Sequence, residues 1–161
     1  MSAICLIDTS ILLNLLNVPN RNQDITRVTQ AFTEYSDLDF TFIIPLVVVL
    51  ETGNHISQNG NGSQRRESAN RFLLTIDKSL KGEVPFRISD FELWNELKLW
   101  LVDFPGEVGK NKLPSKPNEG ISLTDFSIVK EFESLCNKYP MSEVFIWSLD
   151  SDLSHYHRRS H

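Results

Sequence analysis

Cysteine is scarce: Cys5 and Cys136 are the only two in 161 residues. One lies in an apolar run and the other in a helix-like stretch, so both read as small reduced core residues without a disulfide framework. An intracellular, cytoplasmic setting is the expectation. Long hydrophobic runs are lacking too. No basic segment leads into a long apolar one at the N-terminus, and Pro45 and polar residues interrupt every apolar run well short of membrane-spanning length. A membrane or exported protein is therefore not expected. Nor is there an excess of positive charge, since 16 Lys and Arg stand against 21 Asp and Glu for a formal net charge of −5. This argues against a surface that grips nucleic acid all over, but leaves room for a local phosphate-binding site.

Several familiar sites are missing as well. The stretch Asn59–Ser63 (NGNGS) does not lead from a strand into a helix with a following Lys, so it is no phosphate loop. Glu51 and His55 are one helical turn apart, but without a second His they form no zinc-protease signature. His155, His157 and His161 read as a frayed polar tail rather than a metal site. No internal repeat is visible.

What remains is an ordinary globular composition, 40% hydrophobic and 23% charged, of a length that suits one domain across residues 1–161. Short strand-like runs alternate with longer helix-like ones. AICLI (3–7) is an unbroken apolar run, as in a strand covered on both faces, and SILLNLL continues as a helix. DITRVTQAFTEYSD (24–37) has helical spacing and FTFII (40–44) reads as a strand. In PLVVVLETGNHI (45–56) the valines favour a strand, but Pro45 suits a helix start, and a helix is expected. A helix stopped by Gly82 follows QNGNGS, then a short strand in VPFRI (84–88) and a helix over 90–101. Residues 104–120, with three prolines and three lysines, read as a long loop. LTDFSIVKEFESLCNKY (123–139) is helical, EVFIWSL (143–149) strand-like, and the tail begins another helix. Strands separated by helices predict an α/β fold, a mostly parallel central sheet with helices on both faces in a three-layer α/β/α sandwich.

In such sheets ligands gather beyond the carboxyl ends of the strands, near the point where strand order reverses. Asp8 directly follows the first strand and Asp150 the last. Glu51, under two turns into the helix from Pro45, and Asp125, in the first turn of its helix, are placed to face the same edge. Four carboxylates together are costly: at about 5 Å and an effective dielectric near 20, each ionised pair repels by roughly 3 kcal/mol. A cation must compensate, or protons must bind. Ligation by oxygen alone suits Mg²⁺ or Mn²⁺, one or two of which could activate a water and stabilise charge developing on a phosphodiester.

Each acid also has a purely structural explanation. Asp8 could cap the following helix. Ser122-Leu-Thr-Asp125 fits a capping box. Glu51 could occupy an exposed helical position, and Asp150 or Asp152 could cap a terminal helix. Their joint occurrence, in one order and at compatible element ends, favours one site over four separate coincidences.

IDTS with Asp8, PLVVVLET with Glu51, SLTDFSIV with Asp125 and WSLD with Asp150 together resemble the PIN domain, a family of metal-dependent ribonucleases, across nearly the whole chain. The resemblance implies a Mg²⁺- or Mn²⁺-dependent endoribonuclease with those four acids as metal ligands and catalytic residues. Asp152 competes with Asp150 for the fourth place. Ser10 matches the polar residue that orients the first acid, and Ser148 the Ser or Thr before the last. RNA is the implied substrate. Many small bacterial members are toxins held inactive by an antitoxin, so an antitoxin protein is an implied partner. The loop at 104–120 is longer than compact members usually have.

Positive charge for RNA is available from Arg65, Arg66 and Arg71, and from Lys110, Lys112 and Lys116 in the long loop, although each could equally serve a solvated face. Trp94, Trp100, Phe91 and Phe104 could stack bases, but their near-helical spacing points to core packing. Ile25, Val28 and Phe32 could build either a core or a homodimer face. The rival readings are a catalytically inactive PIN-like RNA- or protein-binding module, and a phosphatase with Asp8 as nucleophile; Ser10 stands where the latter needs a second Asp.

Overall fold

An unbroken apolar strand is stable only when both its faces are covered, and Ile4–Ile7 is buried at every position. In the computed structural model, which describes residues 3–89 and 93–160, this segment is strand β1 at the centre of a five-stranded sheet. The remaining elements, in chain order, are α1 (Thr9–Leu15), α2 (Ile25–Asp37), β2 (Thr41–Ile44), α3 (Leu46–Ser57), α4 (Gly62–Leu80), β3 (Phe86–Ile88), α5 (Leu93–Leu101), α6 (Phe104–Val108), α7 (Leu123–Lys138), β4 (Val144–Trp147), α8 (Ser151–Ser154) and β5 (His157–Arg158).

The sheet runs β3-β2-β1-β4-β5, parallel except for the β4–β5 pair. The chain builds outward from β1 through β2 to β3, then returns to the other side of β1 with β4. Strand order therefore reverses between β1 and β4, and their carboxyl ends open the crevice where ligands collect in such sheets.

Register decides which side chains share a face. Cys5, Phe42, Phe86 and Phe145 are aligned across four strands, and α2 lies against that row: Phe32 meets Phe42 and Phe86 at 5.0 and 5.3 Å, and Tyr35 meets Phe145 at 5.6 Å between ring centroids. Helix α7 packs against β4 and α3. With helices on both sides of a mostly parallel sheet, the fold is α/β and compatible with a three-layer sandwich. Val28 and Phe32 turn inward here, as core residues. No helix among the described residues is long and apolar enough to cross a membrane.

Helix starts follow sequence chemistry. Asp8, Asn61, Ser122 and Asp150 each accept a backbone N–H from the first turn of α1, α4, α7 and α8. Asn61 and Gln64 complete a reciprocal capping box. The valine run after Pro45 is helical, with Pro45 as the residue preceding α3. Gly82, at φ +71°, takes the left-handed turn just beyond α4.

Two expectations need correction. The stretch 104–120 is not all loop: residues 104–108 form the short helix α6, with Pro105 in its first turn, where a missing N–H costs nothing. The tail is not frayed through His157, because β5 pairs with Val144 and Phe145 and the His157 Nε2 lies 2.6 Å from the Glu143 carboxylate. Arg158 ties this short strand to the carbonyl oxygens of Cys136, Tyr139 and Ser142 at the end of α7. Phe91, His161 and the Trp94 side chain lie outside what the structure describes.

Candidate functional site

The backbone delivers four carboxylates to one end of the sheet. Asp8 follows β1, Asp150 follows β4 after Ser148 and Leu149, Glu51 sits in the second turn of α3 and Asp125 in the first turn of α7. All four line a single pocket of roughly 290 Å³ at the strand-order reversal, together with Arg21, Asp24 and His55.

Asp8 is the most constrained. It is only 6% exposed, and its Oδ2 accepts from the Ser148 hydroxyl at 2.7 Å, the Ser10 hydroxyl at 2.8 Å and the Ser10 amide at 3.4 Å. The two serines also knit the surrounding backbone: Leu149 N–H donates to Ser10 Oγ at 3.1 Å and Asp150 N–H to Ser148 Oγ at 2.9 Å. Ser10 and Ser148 thus hold both the first and the last acid of the set. Glu51 Oε2 accepts from the Thr9 hydroxyl at 2.5 Å. Asp150 Oδ1 accepts the Asp152 amide at 3.1 Å. Asp125 Oδ2 lies 2.9 Å from Lys112 Nζ.

A pattern runs through these bonds. Each of the four carboxylates commits one oxygen to a protein donor, while its other oxygen accepts no hydrogen bond among the described residues. That donor set of uncommitted oxygens fits a hard cation. As the side chains stand, however, no three of His, Cys, Asp or Glu among the described residues converge into a ready metal cage. The acids share a pocket without closing on a point.

Asp152 is placed elsewhere. It is buried, at 7% exposure, and faces the long loop rather than the four-acid pocket. Lys112 Nζ sits 2.9 Å from both Asp152 and Asp125, and Lys116 Nζ 3.5 Å from Asp152. Burial alone would push the Asp152 carboxyl up, but hydrogen bonds and charge from Lys112 and Lys116 outweigh it and hold the group below its ordinary value. Burial likewise works to lower Lys112, and its bonds to Asp152 and Asp125 overcome this and raise it. The loop is built to present this lysine: Lys112 N–H donates to Glu119 C=O at 2.7 Å, and Gly120 passes so close to the Val108 carbonyl that a Cβ would collide with it. Lys112 and Lys116, candidate RNA contacts by sequence, are thus occupied with Asp125 and Asp152.

The other cations expected from sequence to meet RNA lie away from the four-acid pocket. Lys110 pairs with Glu107 at 2.6 Å. Arg65 donates to the Gly60 carbonyl at 2.6 Å, and Arg66 is exposed on α4. Arg71 donates to the Leu16 and Asn17 carbonyls at 2.8 and 3.0 Å, closing the end of α1. Trp100 is buried and Phe104 packs on Phe126 at 5.3 Å between centroids with the rings tilted by 55°, both packing residues.

Thr9, Arg21 and Asn14 also line the pocket, beyond the residues expected from sequence. Asn14 joins the site's base, donating to the Ser10 carbonyl at 2.9 Å while its Oδ1 accepts the Asp24 amide at 3.0 Å. A buried amide in an otherwise apolar helix was the available signal, since such a group needs partners. Arg21 gave none, because nothing local marks a loop arginine as facing acids. The structural readings of the acids are also partly right: Asp8 and Asp150 do cap helices, and Ser122 does cap Asp125 N–H at 3.0 Å. Capping uses one oxygen and leaves the second available.

In comparison with known proteins, the chain matches no family model, no curated protein and no solved structure.

Proposed function

We propose that this chain is a PIN-like endoribonuclease that uses Mg²⁺ or Mn²⁺ held by Asp8, Glu51, Asp125 and Asp150. The observation that carries the reading is the gathering of these four acids, from four separate elements, into one pocket at the strand-order reversal. The resemblance of IDTS, PLVVVLET, SLTDFSIV and WSLD to the PIN pattern supports it independently of the fold.

Asp8, Glu51, Asp125 and Asp150 would hold a divalent cation whose chemistry there would be Lewis acidity at a phosphodiester and activation of a water. The protein's part is orientation. Ser10 and Ser148 fix Asp8 through Oδ2, Thr9 fixes Glu51, and the Asp152 amide fixes Asp150, so the free oxygens are held where repulsion would otherwise scatter them. Arg21, in the pocket wall, offers a counter-charge to an RNA phosphate. Asp125 keeps its second oxygen for the cation while Oδ2 stays on Lys112, whose positive charge so close by competes with the cation for that carboxylate.

The direct test is cleavage of a pool of structured and single-stranded RNAs in EDTA, Mg²⁺ or Mn²⁺ by the native protein, Asp8→Asn and Asp125→Asn. Cleavage that requires metal and falls at least a hundredfold in both variants is expected, the scale of losing a charge-stabilising group. Cleavage in EDTA, or full activity in either variant, overturns the assignment. The Lys112–Asp125 bond favours the second reading, an inactive RNA-binding module; RNA retention without cleavage under every metal condition would select it.

A further inference from the structure

Beside the acid pocket lies a second cavity that the proposed chemistry does not use. It is a groove of about 410 Å³ between α2 and β4, walled by Tyr35, Phe145 and Trp147, with Arg27 and Ala31 on the helix side. Leu149 lines both cavities, and Ser148, whose hydroxyl holds Asp8, forms part of the groove wall. The groove therefore adjoins the four-acid pocket at Leu149.

Its origin is in the sheet. Strand β5 pairs with Val144 and Phe145, so among the described residues that edge of β4 has no strand neighbour at Trp147. Tyr35 stands edge-on to both rings, at 5.6 Å from Phe145 and 5.1 Å from Trp147, each at 74°. These three aromatics are only partly buried, unlike Phe42 beneath them. At the far end Glu143 is paired with His157. Arg27 is exposed on the rim and Arg21 lies in the acid pocket; neither makes an ion pair among the described residues. Two uncommitted guanidinium groups along one path suit a phosphodiester backbone, and partly open aromatic walls suit unpaired bases.

We propose that this groove is a nucleobase subsite, holding an unpaired base of single-stranded RNA against Tyr35, Phe145 and Trp147 while Arg27 meets the adjoining phosphate. The proposal rests on the ribonuclease reading for its choice of RNA, but it concerns binding and needs no metal. Its position next to Ser148 sets the bound base close to the bond that the acid pocket would cut. Duplex RNA, whose bases are stacked and paired, does not fit.

The test is run in EDTA. Binding of fluorescein-labelled hexauridylate is followed by anisotropy for the native protein, Ala31→Trp, which fills the groove, and Arg27→Ala, which alters only an exposed rim residue. An RNA of the same length carrying 5-iodouridine is photocrosslinked and the attached peptide identified. The expected results are crosslinks to peptides holding Tyr35 or Trp147, about tenfold or greater weakening by Ala31→Trp on the scale of one lost stacking contact, and a salt slope lower by about 0.7 for Arg27→Ala. No binding, crosslinks confined to other surfaces, or unchanged affinity in both variants overturns the subsite. Metal-dependent cleavage with an unoccupied groove would sink the subsite alone. Groove binding without cleavage in Mg²⁺ or Mn²⁺ would sink the nuclease reading alone.

Discussion

Two clusters of carboxylates lie at the same end of this molecule and are stabilised by opposite means. At the strand-order reversal, Asp8, Glu51 and Asp150 are held by hydroxyls and backbone amides, donors that carry no charge. A few residues away, Asp152 is held by two lysines, with Lys112 also reaching Asp125. Neutral donors fix an acid without cancelling its charge, so the first cluster retains a demand for a cation from outside. The second has that demand met by the chain itself. Asp125 borders both cavities and belongs to both clusters.

The contrast can be broken most forcefully at Lys112. Lys112→Met strands Asp152, whose side chain is only 4% exposed, and removing one partner of such a pair costs about 3 kcal/mol, the low end of the buried-pair range because Lys116 remains. A midpoint in urea within experimental error of native would show that the pair is ornamental. Lys112→Met/Asp152→Asn should recover most of the loss.

A somewhat smaller effect is expected at Ser148, which is buried and donates to Asp8. Ser148→Ala should cost about 2 kcal/mol, as for a hydrogen bond to a charged group, and should weaken Mn²⁺ binding measured by calorimetry. Asp8→Asn, in contrast, keeps an amide oxygen for the cap and relieves repulsion, so its melting temperature without metal should fall by no more than a degree or two. A large fall would mean that Asp8 is chiefly structural. In the native protein Mg²⁺ or Mn²⁺ should raise the melting temperature, and this gain should vanish in Asp8→Asn.

The pH dependence of stability separates the two clusters as well. The carboxyl of Asp152 is lowered on folding, so its stabilisation is complete above the unfolded value near 3.9 and is lost as pH falls through the lower folded value. Lys112 is raised, so its share is complete below about 10.4 and is lost as pH climbs through the higher folded value. Asp152→Asn should therefore flatten the acid limb of stability below about pH 4 and leave the neutral plateau level. An unchanged acid limb would refute the role assigned to this pair. The smallest expected effect is at Glu51→Gln, which keeps an acceptor for Thr9 and should alter stability by under about 1 kcal/mol.

Much of the frame was legible because it depends on local pattern. The buried run at Ile4–Ile7, the helical spacing of Ile25 to Tyr35, and Pro45 before the valines each carry their own signal, and the α/β class follows from their alternation. The placement of the four acids was legible for a related reason: Asp8 and Asp150 follow strands, Asp125 lies in the first turn of one helix and Glu51 in the second turn of another, and the topology directs these positions to one edge. What the sequence did not reveal depends on pairing at a distance. Strand β5 is two residues long and exists only because Val144 and Phe145 bond to it. Helix α6 was concealed by Pro105, which reads as a breaker but serves as a starter. The lysine clamp joins residues 13 and 40 apart in sequence, through a loop whose path is set by Gly120 and Glu119. Nothing near Lys112 announces Asp152.

The double duty of the capping acids has a consequence for motion. Asp8 holds the Ser10 amide and Asp150 the Asp152 amide, each through one oxygen of a carboxylate whose other oxygen takes no protein donor among the described residues. Anything that pulls on the free oxygens also tensions the first turns of α1 and α8. Those two amide protons should therefore exchange with solvent at rates that change when the pocket is filled, while amides in the middle of β1 stay silent. The molecule carries its own occupancy gauge, readable one proton at a time.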